Sequence, residues 1–175
     1  MYLRICIFGR PGSGKSTFAL RLHKKMCLPL YHLDRYFFVE NWIARNYEEF
    51  LLAQHEIVDQ DKWIIDGNSL KSLEVRYARA QISLYFNYSR WICLFRIIKR
   101  FFLKDPAIKD RAEGCKEKIR FSLLKYMWTF EYRLNNRLTY QIIELKKLYP
   151  TVKFIEIRND QDLKKVYALF ELGSL

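Results

Sequence analysis

One stretch near the start of the chain combines residue types that bind phosphate groups. Its glycines are followed at once by Lys15 and Ser16, in the pattern of a glycine, four residues, then Gly-Lys-Ser. Glycines let the backbone bend so that its N–H groups point at an anion beside a helix N-terminus. A lysine in this place reaches the β and γ phosphates, and the serine hydroxyl binds Mg²⁺. The pattern predicts a nucleoside triphosphate site formed by Gly9, Arg10, Pro11, Gly12, Ser13, Gly14, Lys15, Ser16 and Thr17.

The segments on either side of this loop agree with that interpretation. A short apolar run at 3–8 precedes it, and Phe18, Ala19, Leu22 and Met26 follow at helical spacing. A strand, a glycine-rich loop and a helix are the setting in which phosphate-binding loops occur. The alternative is a glycine-rich turn between strand and helix that binds nothing.

The rest of the chain alternates in the same way. Short apolar runs at 28–33, 63–67, 82–86 and 153–157 are separated by helical patterns. This alternation predicts an α/β fold, in one domain spanning 1–175, with a parallel sheet covered by helices on both faces. Ligands of such sheets bind beyond the carboxyl ends of the strands.

Two carboxylates follow strands of this predicted sheet. Asp34 comes just after the second strand and Asp66 closes the third, so both are expected to face the cleft that contains the phosphate loop. Asp66 is a candidate Mg²⁺ ligand together with Ser16. Asp34 is a candidate for the same task, or for accepting a proton from a substrate hydroxyl. The alternative for each is a helix N-cap or a turn carboxylate.

Arginines after the fourth strand are candidates for charge stabilisation during phosphoryl transfer. Arg96 and Arg100 lie four residues apart on a helix predicted over 91–103, and a charged loop with Arg111 follows. A lid over about 104–118 carrying a catalytic arginine fits this arrangement; the alternative is solvated surface charge. The helix is expected to bury Trp91, Leu94, Phe95, Ile98 and Phe102, with Arg96, Lys99 and Arg100 on its other side.

The segment over about 35–60 is the candidate for binding a phosphate acceptor. A monophosphate acceptor would need arginines, such as Arg35, Arg45 and Arg76, whereas a hydroxyl acceptor would use Asp34 as a base. The sequence supplies both, so the acceptor stays open between a nucleoside, a nucleotide and another hydroxyl compound. The alternative for Arg76 is a surface salt bridge. Aromatic residues that could stack on a base or sugar, or form a hydrophobic cover, are Tyr36, Phe37, Phe38 and Trp42.

Composition places the chain among globular proteins with anionic partners. Half of its 175 residues are hydrophobic, and 31 Lys plus Arg against 19 Asp plus Glu give a net charge of +12. Such an excess suits nucleotides or nucleic acid, although it also solvates a surface. No apolar run approaches the roughly 20 residues that span a bilayer, so no membrane partner and a cytoplasmic location are expected. The oligomeric state, monomer or dimer, is undetermined.

Neither cysteines nor histidines predict a metal site. The four cysteines, which lack a Cys-x-x-Cys pair, are expected to be reduced, with Cys6 and Cys93 in the core. The three histidines, His23, His32 and His55, are expected to serve packing or lie at the surface.

The order of these elements is similar to that of the adenylate kinase-like nucleotide kinases. Within them the chain most resembles the DNA topology modulation proteins, over residue 3 to about 158. The residues that carry the resemblance are Leu33-Asp34, Trp42, Phe50, Trp63-Ile64-Ile65-Asp66-Gly67-Asn68, Tyr88-Ser89-Arg90, Arg96, Arg100, Gly114-Cys115, Phe121 and the stretch 124–130.

The resemblance implies a three-layer fold with a five-stranded parallel sheet in the order 2-3-1-4-5, a lid, and ATP with Mg²⁺. It also implies that the adenine lies near the loop after the fifth strand, at about Arg158 and Asn159. Asn68-Ser69 follows Asp66-Gly67 where adenylate kinases carry Phe-Pro-Arg. The acceptor contacts of those enzymes therefore do not transfer to this chain.

A second hypothesis is a nucleotide-gated DNA-binding protein that affects DNA topology. The net charge and the basic, aromatic stretch at 111–137 favour it, although no recognised DNA-binding motif is present. Salt separates the two hypotheses, because DNA affinity through phosphate contacts falls steeply as salt is added. A kinase acting on a small acceptor should show only a modest effect on turnover.

The first prediction concerns Lys15. Replacing it by alanine removes the cation that reaches the β and γ phosphates, so Lys15→Ala should abolish nucleotide binding or turnover. Titration with Mg-ATP would measure this directly. A variant that binds ATP as tightly as the original chain would show that the site has been assigned wrongly.

Overall fold

A five-stranded parallel sheet forms the centre of the protein. In the computed structural model, which describes residues 2–39, 43–102 and 137–172, the strand order is β2-β3-β1-β4-β5 and every pair is parallel. Both the parallel sheet and its order are as predicted. The strands are β1 (Arg4–Gly9), β2 (Leu30–His32), β3 (Trp63–Asp66), β4 (Ile82–Phe86) and β5 (Lys153–Ile157).

Helices connect these strands and cover the sheet on both faces. They are α1 (Lys15–Met26), α2 (Leu33–Phe37), α3 (Tyr47–Val58), α4 (Leu73–Tyr77), α5 (Arg90–Phe102), α6 (described over 137–148) and α7 (Asp160–Leu169). The predicted lid at 104–118 and Trp42 lie outside the described residues.

The core consists of two apolar layers separated by the sheet. Strand β1 is buried on both faces and alternates between them: Ile5 and Ile7 join one layer, and Cys6 and Phe8 join the other. The first layer contains residues of α1, α5 and α7, and the second contains residues of α3, α4 and α6. The fold therefore has three layers. Strands made of continuous apolar runs are buried on both faces and need helices on each side of the sheet.

Side-chain caps fix the starts of two helices at the positions that the sequence indicates. Asn46 accepts a hydrogen bond from the Glu48 amide at 2.7 Å, at the start of α3. Asn159 accepts from the amides of Gln161 and Asp162 at 2.9 and 3.0 Å, at the start of α7. Each cap satisfies amides that have no partner within the helix.

Helix α5 buries a different face from the predicted one. Its buried side chains are Cys93 and Ile97, which join the layer of α1 and α7. Of the side chains expected in the core, Trp91, Phe95 and Ile98 are exposed among the described residues, and only Leu94 is half-buried. The cause is local: α5 lies against the phosphate loop, and the Cys93 carbonyl and the Ile97 side chain are next to Gly12.

This orientation of α5 predicts unequal effects of two truncations on the same helix. Ile97 is 7% exposed, so Ile97→Ala should lower the free energy of unfolding by about 2–5 kcal/mol. Phe95 is 66% exposed, and Phe95→Ala should change it by less than about 0.5 kcal/mol. Urea denaturation measures both. A cost for Phe95→Ala that equals that of Ile97→Ala would contradict the orientation.

Candidate phosphate-binding site

The loop after β1 has the backbone that binding of an anion requires. Gly9, Gly12 and Gly14 have φ angles of 129°, 75° and 96°, in a region that side chains disfavour. A Cβ atom on Gly12 would lie 2.7 Å from the Cys93 carbonyl oxygen and 2.8 Å from the Ile97 side chain. The glycine at this position therefore allows α5 to approach the loop closely.

Helix α1 begins inside the motif and directs its N-terminus at the loop. Gly14 is its N-cap and Lys15 its first residue, and its first turn contains no acidic side chain. The positive end of the helix dipole is consequently not neutralised by the helix itself. Lys15 is buried, and its Nζ donates a hydrogen bond to the Arg10 carbonyl oxygen at 2.8 Å. The ammonium group is thus held within the loop.

Asp66 places a buried carboxylate beside this loop. Its Oδ2 lies 3.0 Å from His32 Nδ1, and the two residues are also register partners across β2 and β3. Burial alone raises the pKa of Asp66, but the His32 hydrogen bond, the charge of Lys15 and a smaller contribution from Ser16 lower it overall. The structure therefore favours an ionised Asp66 next to Lys15 and Ser16.

The second oxygen of this carboxylate fits a cation. Oδ1 of Asp66 is buried, and no described residue reaches it with a hydrogen bond of ordinary geometry. A buried carboxylate oxygen without a hydrogen bond destabilises the folded chain unless another group binds it. Mg²⁺ prefers oxygen ligands and commonly takes only one or two from the protein. Ser16 and Asp66 therefore supply a donor set that suits Mg²⁺, and the described residues contain no larger group of metal-binding side chains.

Asp34 lies just past the carboxyl end of β2, as expected, but in a helix. It is the second residue of α2, is exposed, and its carbonyl accepts from the Phe38 amide at 3.1 Å. Leu33 anchors this turn against Gly67, where an added Cβ atom would lie 2.5 Å from the Leu33 Cβ. The glycine after Asp66 thus brings the start of α2 against the end of β3. Arg35 is the next residue and is exposed.

Arg76 does not occupy the surface position that a direct substrate contact requires. It is fully buried, and its guanidinium donates to the carbonyl oxygens of Gly67, Ser69 and Ser72 at 3.3, 2.9 and 3.1 Å. Neither the expected substrate contact nor a surface salt bridge describes this geometry. The physical reason is the loop after β3, whose carbonyls turn inward and need donors. Arg76 therefore stabilises the loop that follows Asp66.

The remaining predicted arginines are distributed differently. Arg96 contacts the phosphate loop directly, since its Nη1 donates to the Ser13 carbonyl oxygen at 2.9 Å. Arg158 is exposed and pairs with Glu156 at 2.8 Å just before α7. Arg100 belongs to the last turn of α5, and Arg111 lies outside the described residues.

Sequence reasoning did not identify His32 as part of the site. Its position before Leu33-Asp34 looks like the end of an ordinary strand. The missing information was the register: the expected strand order places β2 beside β3, but only the observed pairing sets His32 opposite Asp66. A histidine at the last position of a strand that flanks an acid-terminated strand is the signal that could have found it.

Comparison with known proteins identifies the fold. No protein-family model and no curated protein matches the sequence. Among solved structures, a sugar kinase from Janibacter sp. HTCC2649 aligns with a TM-score of 0.54 at 16% identity, covering 97% of this chain and 94% of that one. Shikimate kinase from Acinetobacter baumannii, in complex with shikimate, aligns with a TM-score of 0.56 at 11% identity over 97% and 94% of the two chains.

A third structure agrees with these two. Shikimate kinase from Bacteroides thetaiotaomicron aligns with a TM-score of 0.52 at 14% identity over 98% of this chain and 100% of that one. With the sheet order and the glycine loop, these alignments show that the chain has the fold of the P-loop kinases. No helix among the described residues has the length and apolar character to cross a bilayer.

The His32 contact predicts a change in stability that depends on pH. Asp66 has a lowered pKa in the folded chain, so its stabilising effect is present above the ordinary aspartate pKa of about 3.9 and is lost as the pH falls through the lower folded value. His32→Ala removes the largest of the favourable contacts. The free energy of unfolding at pH 7 should fall by about 1–3 kcal/mol, and the acid-induced loss should begin at a higher pH.

Urea denaturation from pH 7 down to about pH 2, which extends well below the ordinary aspartate pKa, would measure both effects. The matched control is His55→Ala, because His55 is an exposed residue of α3. It should change stability by less than about 0.5 kcal/mol. If His32→Ala and the original chain lost stability over the same range of acidic pH, the assigned effect of His32 on Asp66 would be contradicted.

Proposed function

We propose that this protein transfers the γ-phosphoryl group of Mg-ATP to a hydroxyl group of a small acceptor. The observation that carries the proposal is the Asp66 carboxylate, which is buried beside Lys15 and Ser16 with one oxygen unbonded among the described residues. A glycine turn that binds nothing would not need a buried ionised acid at its side. A triphosphate bound with a cation would use all three residues.

Each residue of the site has a part in this proposal. The loop amides and Lys15 bind the phosphate chain, and Ser16 and Asp66 hold Mg²⁺. The metal, when bound, would neutralise negative charge on the phosphate oxygens. Arg96 and, from the sequence alone, Arg100 and Arg111 are candidates for the charge that spreads over the transferred group. Arg158 remains the candidate for the base of the nucleotide.

Two features favour a hydroxyl acceptor over a monophosphate. Burial of Arg76 removes one of the three arginines that would recognise an acceptor phosphate, leaving Arg35 and Arg45 exposed. Asp34, in contrast, is exposed at the carboxyl end of the sheet. It would accept the proton of the attacking hydroxyl while the phosphoryl group passes to that oxygen and ADP leaves. A sugar and a nucleoside both offer such a hydroxyl.

The similar structures support the same chemical class of acceptor. One is named a sugar kinase, and another is a shikimate kinase solved with shikimate. At 16% and 11% identity they share the fold with this chain, and the acceptor is extended to it only within the proposal. The DNA-binding hypothesis stays a prediction, because its stretch at 111–137 lies almost wholly outside the described residues.

Asp34→Asn tests the proposed reaction. The amide cannot accept the hydroxyl proton, so kcat should fall by about 10²- to 10⁴-fold while the affinity for Mg-ATP stays unchanged. Incubation with Mg-ATP and a panel of sugars, nucleosides and nucleoside monophosphates, followed by measurement of ADP, identifies the acceptor. The control is Asp61→Asn, since Asp61 is an exposed acid in the turn before β3.

Three results would contradict the proposal. Turnover by Asp34→Asn equal to that of the original chain would assign Asp34 a structural role. Turnover with monophosphates alone would exclude a hydroxyl acceptor. ADP release that no acceptor of the panel stimulates would exclude the transfer reaction for these classes of compound.

A further inference from the structure

Arg96 connects the phosphate loop to the start of α7. Its Nη1 donates to the Ser13 carbonyl oxygen and its Nη2 to Asp160 Oδ1, both at 2.9 Å. Its guanidinium carbon lies 4.3 Å from the centre of the Tyr88 ring, within cation–π distance. The Tyr88 hydroxyl donates to the same Asp160 oxygen at 2.9 Å. Asp160 Oδ1 thus accepts hydrogen bonds from both the Arg96 guanidinium and the Tyr88 hydroxyl.

The contact with Ser13 bears on phosphate binding through the geometry of the peptide group. The described residues contain no cis peptide bond, so the Ser13 carbonyl and the Gly14 amide point in opposite directions in one plane. A guanidinium bonded to that carbonyl therefore fixes the direction of the Gly14 N–H. It also polarises the peptide, which strengthens the N–H as a donor.

Asp160 and Tyr88 limit where the guanidinium can go. An unrestrained arginine side chain loses much rotamer freedom when it is held in one position, and a carboxylate and an aromatic ring on two sides remove part of that freedom before the ligand binds. Asp160 itself is 64% exposed and Arg96 32% exposed, so the ion pair adds little to global stability. Its effect should appear instead in the ligand that the loop binds.

We infer that Asp160 is a positioning residue for nucleotide binding, which acts through Arg96 to hold the Ser13–Gly14 peptide with its amide available to phosphate. This inference rests on the proposed function. Tyr88 has the same task, since it holds both the guanidinium and the carboxylate.

Asp160→Asn tests this inference, with Asp162→Asn as its matched control. Both acids lie in the first turn of α7, but only Asp160 contacts Arg96 and Tyr88. Calorimetric titration with Mg-ATP and with Mg-ADP should show affinity reduced about two- to fivefold for Asp160→Asn, the scale of one exposed ion pair. Asp162 accepts a hydrogen bond from the Arg158 amide at 3.0 Å, which the side-chain oxygen of asparagine can also accept, so Asp162→Asn should bind both nucleotides as the original chain does. Neither variant should shift Tm.

A double-mutant cycle distinguishes action through Arg96 from a general effect on α7. In an Arg96→Gln background, Asp160→Asn should cause no further loss of affinity. An equal loss in both backgrounds, unchanged affinity of Asp160→Asn, or tighter binding by it would each overturn the inference while leaving the proposed function intact. Failure of the original chain to bind Mg-ATP would overturn both.

Discussion

The structure depends on compensating one buried negative charge, the Asp66 carboxylate at the end of β3. An ionised acid removed from water costs several kcal/mol unless it is paired and hydrogen-bonded. His32 comes from β2, and Lys15 and Ser16 are the first two residues of α1, so two separate elements must converge on the end of β3 for this charge to be stable. The parallel order β2-β3-β1 is what makes them converge, because the carboxyl ends of these strands share one edge.

Close backbone approaches then fix the shape around that charge. At Gly12 the loop lies against the Cys93 carbonyl and Ile97 of α5, and at Gly67 the end of β3 lies against Leu33. A side chain at either position would move a neighbouring element. The buried Arg76 stabilises the loop after β3, because it donates hydrogen bonds to the carbonyl oxygens of Gly67 and Ser69. Each of these contacts joins a loop or the end of a strand to a helix, and all of them position the site.

The sequence predicted what local patterns determine. Apolar runs located five strands, and the resemblance supplied the strand order. For α5 the burial of Cys93 was predicted but that of Ile97 was not, because the apolar positions read from the sequence include the exposed Phe95, whereas the face of Cys93 and Ile97 lies against the loop. The role of His32 and the burial of Arg76 depend on strand pairing and on carbonyl directions, which composition and spacing do not contain.

The cations of the site share one feature that bears on how it would bind a triphosphate. Lys15 donates to the Arg10 carbonyl and Arg96 to the Ser13 carbonyl, so both are held by the loop itself. Because these oxygens carry only partial charge, a phosphate oxygen is the stronger acceptor for either cation. On binding, each cation would replace its hydrogen bond to a loop carbonyl with a stronger one to a phosphate oxygen, and would move only a short distance to do so. Charge that is already in place costs little to reorganise, and preorganisation of this kind lowers the barrier for transfer of a charged group. The same contacts hold the Arg10 and Ser13 carbonyls of the loop, so under the proposed function the basic side chains would support binding before they touch the phosphate.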